Sequence, residues 1–287
     1  MRIGFMMSFD KERIEFAKKV GFRSCELQVS STAPFFPGND GWEAKAEDVK
    51  NYYDEKGVRI SCLAGFYVNH MDEKKADEYK KLVRDTILLA EKIGVPVVAG
   101  FSGRVAGKPL IESVSLFKEV WSEHSRFAED HNVKIAFENC PMGEFHTPAN
   151  GINFMCTPQM WEIAFNEVPS DAIGLEWDPS HLICQFIDPV MTLRRFGKRV
   201  YHIHAKDAHI NYDLLRQYGI WYPGAIEHCF PGLGDTNWGL CIKELLRYGY
   251  KGDLNIEGWH DLVYIRERED EGLINAFKYL SQFVVQD

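Results

Sequence analysis

The 287-residue chain lacks a basic footprint. Thirty-three lysines and arginines stand against 42 aspartates and glutamates, a formal net charge of -9. Nucleic-acid surfaces are built from clustered Lys and Arg; here those residues are scattered among acids, so no nucleic-acid partner is expected. The chain also lacks any CxxC pair. Its seven cysteines are odd in number, which speaks against a disulfide framework and predicts reduced, mostly buried thiols. No apolar run approaches the roughly 18 residues of a membrane span. The opening segment MRIGFMMSFD meets Asp10 before a secretory core could form. The expectation is a cytoplasmic protein without a membrane partner. No GxGxxG follows the first β-rich run, which argues against a dinucleotide-binding sheet. No Pro/Gly/Ser-rich linker, composition shift or low-complexity tract divides the chain, so residues 1–287 read as one domain.

What is present is alternation. Eight short β-rich runs, Ile3–Met7, Ser24–Val29, Arg59–Ala64, Pro96–Phe101, Lys134–Glu138, Ala172–Asp178, Val200–His204 and Asp253–Glu257, are separated by amphipathic stretches. Those stretches carry helix signals: Asp10, Thr157-Pro158 and Asp188-Pro189 at starts, Gly21, Gly57, Gly94 and Gly249 at ends. A long closing helix is expected over about Asp261–Val285. Strands joined by helices of this length form βαβ units and a parallel sheet, and eight of them in about 250 residues predict a closed (β/α)8 TIM barrel. Two connections, Ser30–Trp42 and Asp207–Trp238, are long and follow strand C-termini, the end where barrel loops build active sites.

The chemistry lies in how the later strands end. KIAFE stops on Glu138, IGLEWD on Asp178, VYHIH on His204 and DLNIE on Glu257. Each run is largely apolar and puts an acid or imidazole at its last inward position. A carboxylate buried there is costly unless a cation compensates it. Three carboxylates and one imidazole, with no thiolate, suit Mn, Mg or Co with positions open to substrate oxygens; zinc is compatible with the set. Glu176 and His202 share the inward parity one layer deeper, where they could orient the ligands.

With these residues the chain resembles the sugar isomerase/epimerase superfamily of xylose-isomerase-like barrels. The matching pieces are FEN at 137–139, DPSH at 178–181, HIHAKD at 202–207, PGLGD at 231–235 and NIEGWH at 255–260. The resemblance implies one divalent metal on Glu138, Asp178, His204 and Glu257, with Glu138 and Glu257 also acting as acid/base catalysts. It implies a carbohydrate substrate touching His181, with Asp207 as an auxiliary polar group. His209, Trp259, His260 and Arg104 are further candidate substrate contacts, and dimers or tetramers are expected by analogy. Ketose 3-epimerases usually carry an arginine just beyond the metal histidine; this segment reads KDAHINYD instead. That departure, with Trp221 and Tyr222 in the long loop, suggests a larger or differently shaped substrate. The expected reaction is proton abstraction α to a carbonyl, giving isomerisation or epimerisation. Elimination from a keto-sugar or 3-keto-glycoside, a lyase or dehydratase reaction, uses the same groups.

Overall fold

The computed structural model describes residues 1–142 and 151–286. In chain order its strands are β1 (Ile3–Ser8), β2 (Ser24–Gln28), β3 (Arg59–Phe66), β4 (Val97–Gly100), β5 (Lys134–Glu138), β6 (Ile173–Trp177), β7 (Val200–Ala205), β8 (Asp207–Ile210), β9 (Ile226–Cys229) and β10 (Leu254–Ile256). All but β8 and β9 pair in parallel and close on themselves in the order β1-β10-β7-β6-β5-β4-β3-β2. This is the TIM barrel expected from the alternation.

The helices follow their local signals. α1 (Lys11–Val20) starts where Asp10 accepts hydrogen bonds from the backbone N–H groups of Glu12 and Arg13, and stops at Gly21 with φ +106°. α2 (Trp42–Lys56), α3 (Ala76–Ile93) and α4 (Val114–Asp130) succeed it. α5 (Pro158–Glu167) and α7 (Pro189–Phe196) begin with Pro behind the caps Thr157 and Asp188, and the short α6 (Pro179–Ile183) lies between them. α8 (Tyr212–Tyr218), α9 (Trp238–Arg247) and α10 (Glu269–Leu280) complete the set.

Two expectations are corrected. The closing helix starts at Glu269, not Asp261, because the Asp261 carboxylate accepts from the backbone N–H groups of Phe230, Val263 and Tyr264 and so holds a turn against the preceding loop. The 207–238 connection is not plain loop. Asp207–Ile210 and Ile226–Cys229 form an antiparallel hairpin around α8.

The main core lies between the barrel and its helices and includes Phe5, Phe22, Trp121, Phe137, Trp161 and Leu245. The barrel interior is partly polar. Ser61 on β3, Asn255 on β10, His202 on β7 and Glu176 on β6 join through Asn255 Nδ2 to Ser61 Oγ (2.6 Å) and to His202 Nε2 (2.8 Å), and His202 Nδ1 to Glu176 Oε1 (2.7 Å). That chain of partners forms the floor of the site. All seven cysteines are free thiols, six of them buried. Among the described residues no helix is long and apolar enough to cross a membrane.

Candidate active site

β5, β6, β7 and β10 end side by side, and the closed barrel turns their last inward side chains to one point. One donor atom each from Glu138, Asp178, His204 and Glu257 lies within 4.8 Å of the others, and all four residues are buried. His204 Nδ1 is 3.2 Å from Glu257 Oε2 and 3.4 Å from Glu138 Oε1. Asp178 caps α6, where Oδ1 accepts from the Ser180 N–H at 2.7 Å. Its other oxygen, with His204 Nδ1 and Glu257 Oε2, has no hydrogen-bond partner among the described residues. Leaving a buried polar atom unpaired costs about 1–3 kcal/mol, more for a charge. Three such atoms converging on one point fit a shared cation, which would satisfy all of them.

The layer below fixes the imidazole. Glu26, in the middle of β2, accepts a hydrogen bond from His204 Nε2 at 2.8 Å, which leaves the Nδ1 lone pair facing the cluster. Tyr67 donates to Glu26 Oε1 (3.1 Å) and Glu176 Oε2 (2.6 Å). Burial alone raises the pKa of Glu26, but His204 and His202 overcome it and bring it below the ordinary carboxylate value. Glu176 is pushed well above that value by burial and by the charge of Glu26. Of the two residues expected to orient ligands, Glu176 lies 3.3 Å from His204 Nε2, whereas His202 reaches the cluster only through its carboxylate neighbours. The direct support is Glu26, an acid inside a strand far away in sequence.

A second pair of residues surrounds the cluster from above. Lys206 is buried and its Nζ lies 3.1 Å from Glu257 Oε1 and 3.4 Å from His260 Nδ1. Burial lowers the Lys206 pKa, but Glu257, Asp178 and Glu138 more than offset it. Glu257 in turn is raised by burial and then pulled well below the usual range by Lys206 and His204. Burial raises Glu138 as well; His181 and His204 bring it down to about 2. His181 Nε2 sits 3.4 Å from both Glu138 Oε1 and Asp178 Oδ2. Three carboxylates against the Lys206 ammonium leave two negative charges when the imidazoles are neutral, the charge a divalent cation would cancel.

Asn139 clamps the two ligand strands together. Its Oδ1 accepts from the Asp178 N–H and its Nδ2 donates to the Asp178 carbonyl, both at 2.8 Å. Asn153 donates to the carbonyls of Glu138 and Cys140.

A cavity of about 480 Å³ opens above the cluster. Of the expected substrate contacts, His181, Trp259 and His260 line it, along with Tyr67, Phe101 and Lys206. The others are elsewhere. Asp207 points to the opposite face of its strand and accepts from the backbone N–H groups of Ala208, Gly232 and Thr236; it organises the PGLGD turn. Gly234 packs so close that a Cβ there would stand 2.3 Å from Asp207 Oδ1. His209 is exposed beside Asp235, 3.3 Å away. Arg104 is buried, with its guanidinium on the Lys108 carbonyl at the base of its own loop. His70 donates to the Phe66 carbonyl within the core. Phe35, Phe36, Phe66 and Trp177 are core residues, and Trp221 is exposed on α8's following turn. His228, on the hairpin, was not anticipated: its ring lies 5.0 Å from that of His181 and 5.8 Å from that of His260.

Residues 14–282 match the xylose isomerase-like TIM barrel family, so the chain belongs to it. Among curated relatives, the protein YfiH of Bacillus subtilis (strain 168) is 26% identical over 93% of this chain and 94% of its own. Inosose dehydratase of Clostridium tetani (strain Massachusetts / E88) is 23% identical over 61% of this chain and 58% of its own. Among solved structures, the IOLI protein with a bound zinc atom superposes with TM-score 0.73 and 20% identity over the full length of both chains. The 3-keto-D-glucoside 4-epimerase from E. coli superposes with TM-score 0.73 and 14% identity, covering 98% of this chain and 99% of that one. The neighbours thus include both epimerases and dehydratases.

Proposed function

We propose that this xylose isomerase-like barrel is a divalent-metal-dependent isomerase or epimerase of sugars or sugar derivatives, abstracting a proton α to a carbonyl. The observation that carries the reading is the convergence of unpaired atoms of Asp178, His204 and Glu257 beside Glu138 at the floor of an open cavity. These four residues would hold the ion. Their oxygen-rich set suits manganese, magnesium or cobalt, with zinc also compatible. A divalent cation there supplies positive charge beside a substrate carbonyl and so acidifies the neighbouring C–H.

The remaining work falls to the chain's own groups. Glu138 and Glu257 flank His204 Nδ1, and each is tied to a cationic or protonable neighbour, His181 or Lys206. One glutamate, ionised, takes the α-proton; the other would be charged with a proton from its neighbour, His181 or Lys206, and returns it as the acid. Return to the opposite face of the same carbon inverts it; return to the former carbonyl carbon, with the neighbouring hydroxyl proton passing to the former carbonyl oxygen, moves the carbonyl. Tyr67, Phe101 and Trp259 offer faces for the sugar's C–H groups. Trp259 and His260 stand at the open side, where they would set access and orientation.

Lys206 also favours a second reading. A buried ammonium in the cavity can give its proton to a leaving oxygen β to the abstracted C–H while the C–O bond breaks. That sequence is a lyase or dehydratase reaction, the activity of the inosose dehydratase relative.

The deciding experiment is solvent-deuterium incorporation with manganese-loaded protein, screened over free ketoses, inososes and 3-keto-glycosides. Deuterium at a carbon α to the carbonyl, in recovered substrate or its epimer, supports the first reading; an unsaturated product supports the second. Neither exchange nor an unsaturated product on any of the three classes would remove both.

A further inference from the structure

A second cavity, of about 510 Å³, opens on the same face of the barrel over the ends of β1 and β2. The two cavities are neighbours along the same strands. Met6 lines the inner one and Ser8 the outer one, and Gln28 lines both. The outer walls are aromatic: Phe9 packs edge-on against Phe35 (6.1 Å between centroids) and Tyr52 (6.2 Å). The rim is polar, with Lys11, Lys45 and Asp48 exposed around it.

An apolar wall ringed by donors and acceptors is what a pyranose ring requires. Its C–H face rests on the aromatics, and its hydroxyls both give and accept hydrogen bonds. Lys11 and Lys45 donate, Asp48 accepts, and the Gln28 amide does both. With Asp48 on the rim as well as Lys11 and Lys45, the lining offers acceptors beside donors, as the hydroxyls of a neutral polyol require.

We propose that the outer cavity is a subsite for the second, unreacting ring of a glycoside whose reacting ring occupies the inner cavity. The proposal rests on the sugar reading of the metal cluster and narrows its substrate class to two-ring compounds. Contacts to a remote ring can be used to hold the reacting ring in place, so free monosaccharides should be poor ligands.

The test is titration calorimetry of manganese-loaded protein with methyl β-D-glucopyranoside, cellobiose, maltose and trehalose. At least one disaccharide should bind tenfold or more tighter than the methyl glucoside. Ala33→Trp, which fills the outer cavity, should bring that affinity ratio toward one. Lys11→Ala, at an exposed position that leaves the core untouched, should reduce the ratio at least threefold. Equal affinities in the wild type, or a ratio that survives both substitutions, would overturn the subsite. Because this is a binding measurement, it separates from the deuterium experiment: a preserved ratio without exchange removes the reaction and keeps the subsite, and exchange without a ratio does the reverse. Absence of binding by every sugar removes the subsite and leaves the reaction to the deuterium experiment.

Discussion

The ammonium of Lys206 lies 3.1 Å from Oε1 of Glu257, while Oε2 of the same carboxylate stands 3.2 Å from His204 Nδ1. One carboxylate thus joins a fixed cation on one side to a candidate cation site on the other. Removing one partner of a buried pair typically costs about 3–5 kcal/mol, because the other charge is stranded. Lys206→Met should therefore destabilise the metal-free protein by that order, and manganese should restore much of the loss. It should also bind manganese more tightly, since a like charge is gone, yet turn over more slowly. Urea melts with and without manganese check this; a loss of stability that manganese does not relieve would count against the linked arrangement.

Glu26 holds the His204 ring so that Nδ1 faces the cluster. Supporting contacts of this kind are worth about 10–100-fold in metal affinity. Glu26→Gln should weaken manganese binding within that range while the circular dichroism spectrum stays unchanged. Undiminished affinity by calorimetry would assign Glu26 to packing alone.

Glu138→Gln and Glu257→Gln keep the shape of each side chain and remove its capacity to take a proton. General acid–base groups contribute about 10²–10⁴-fold. Each variant should lose solvent-deuterium exchange by at least that factor with the fold retained. Near-wild-type exchange in either one would end the two-glutamate mechanism.

Asp207 is adjacent in sequence to Lys206 but serves the fold. Asp207→Ala removes the acceptor for three backbone N–H groups, and unpaired buried donors cost about 1–3 kcal/mol each. The urea midpoint should drop clearly, while KM measured on the surviving folded protein stays close to wild type. A selective rise in KM at unchanged stability would return Asp207 to the site.

Stability should fall with acid for a reason remote from the site. Burial lowers the pKa of His124 from 6.5 to about 4. The unfolded chain takes up its proton below pH 6.5 and the folded chain only near 4. Stability contributed by the neutral ring is therefore complete above about 6.5 and is lost as pH falls toward 4, by about 3 kcal/mol in all. His70, lowered by burial to about 3, acts in the same direction. His124→Leu should flatten the pH dependence of the urea midpoint between 6.5 and 4; an unchanged slope would assign the loss to other groups.

Much of this protein is decided locally and can be read from one dimension. Strand alternation is a two-residue period imposed by the extended backbone, so His202 and His204 must share a face, and an acid or imidazole ending each of four largely apolar runs marks the mouth of the barrel. Caps such as Asp10 and Thr157-Pro158 act over three residues, and they mark helix starts correctly. The same period also carries the signal for Lys206, inward with His204, and turns Asp207 away. Other features depend on contacts between distant segments. Glu26 supports His204 across 178 positions of sequence because barrel closure brings β2 opposite β7. The hairpin at 207–229 needs the register of two strands separated by α8, and it alone brings His228 behind His181. Arg104, a candidate substrate contact in sequence, and His70 both lie outside the strands yet are buried where their loops pack on the barrel. The donor types were set by the order of residues; their convergence within 4.8 Å, and the second cavity beside them, came only with closure of the sheet, which converts strand ends far apart in the chain into neighbours on one rim.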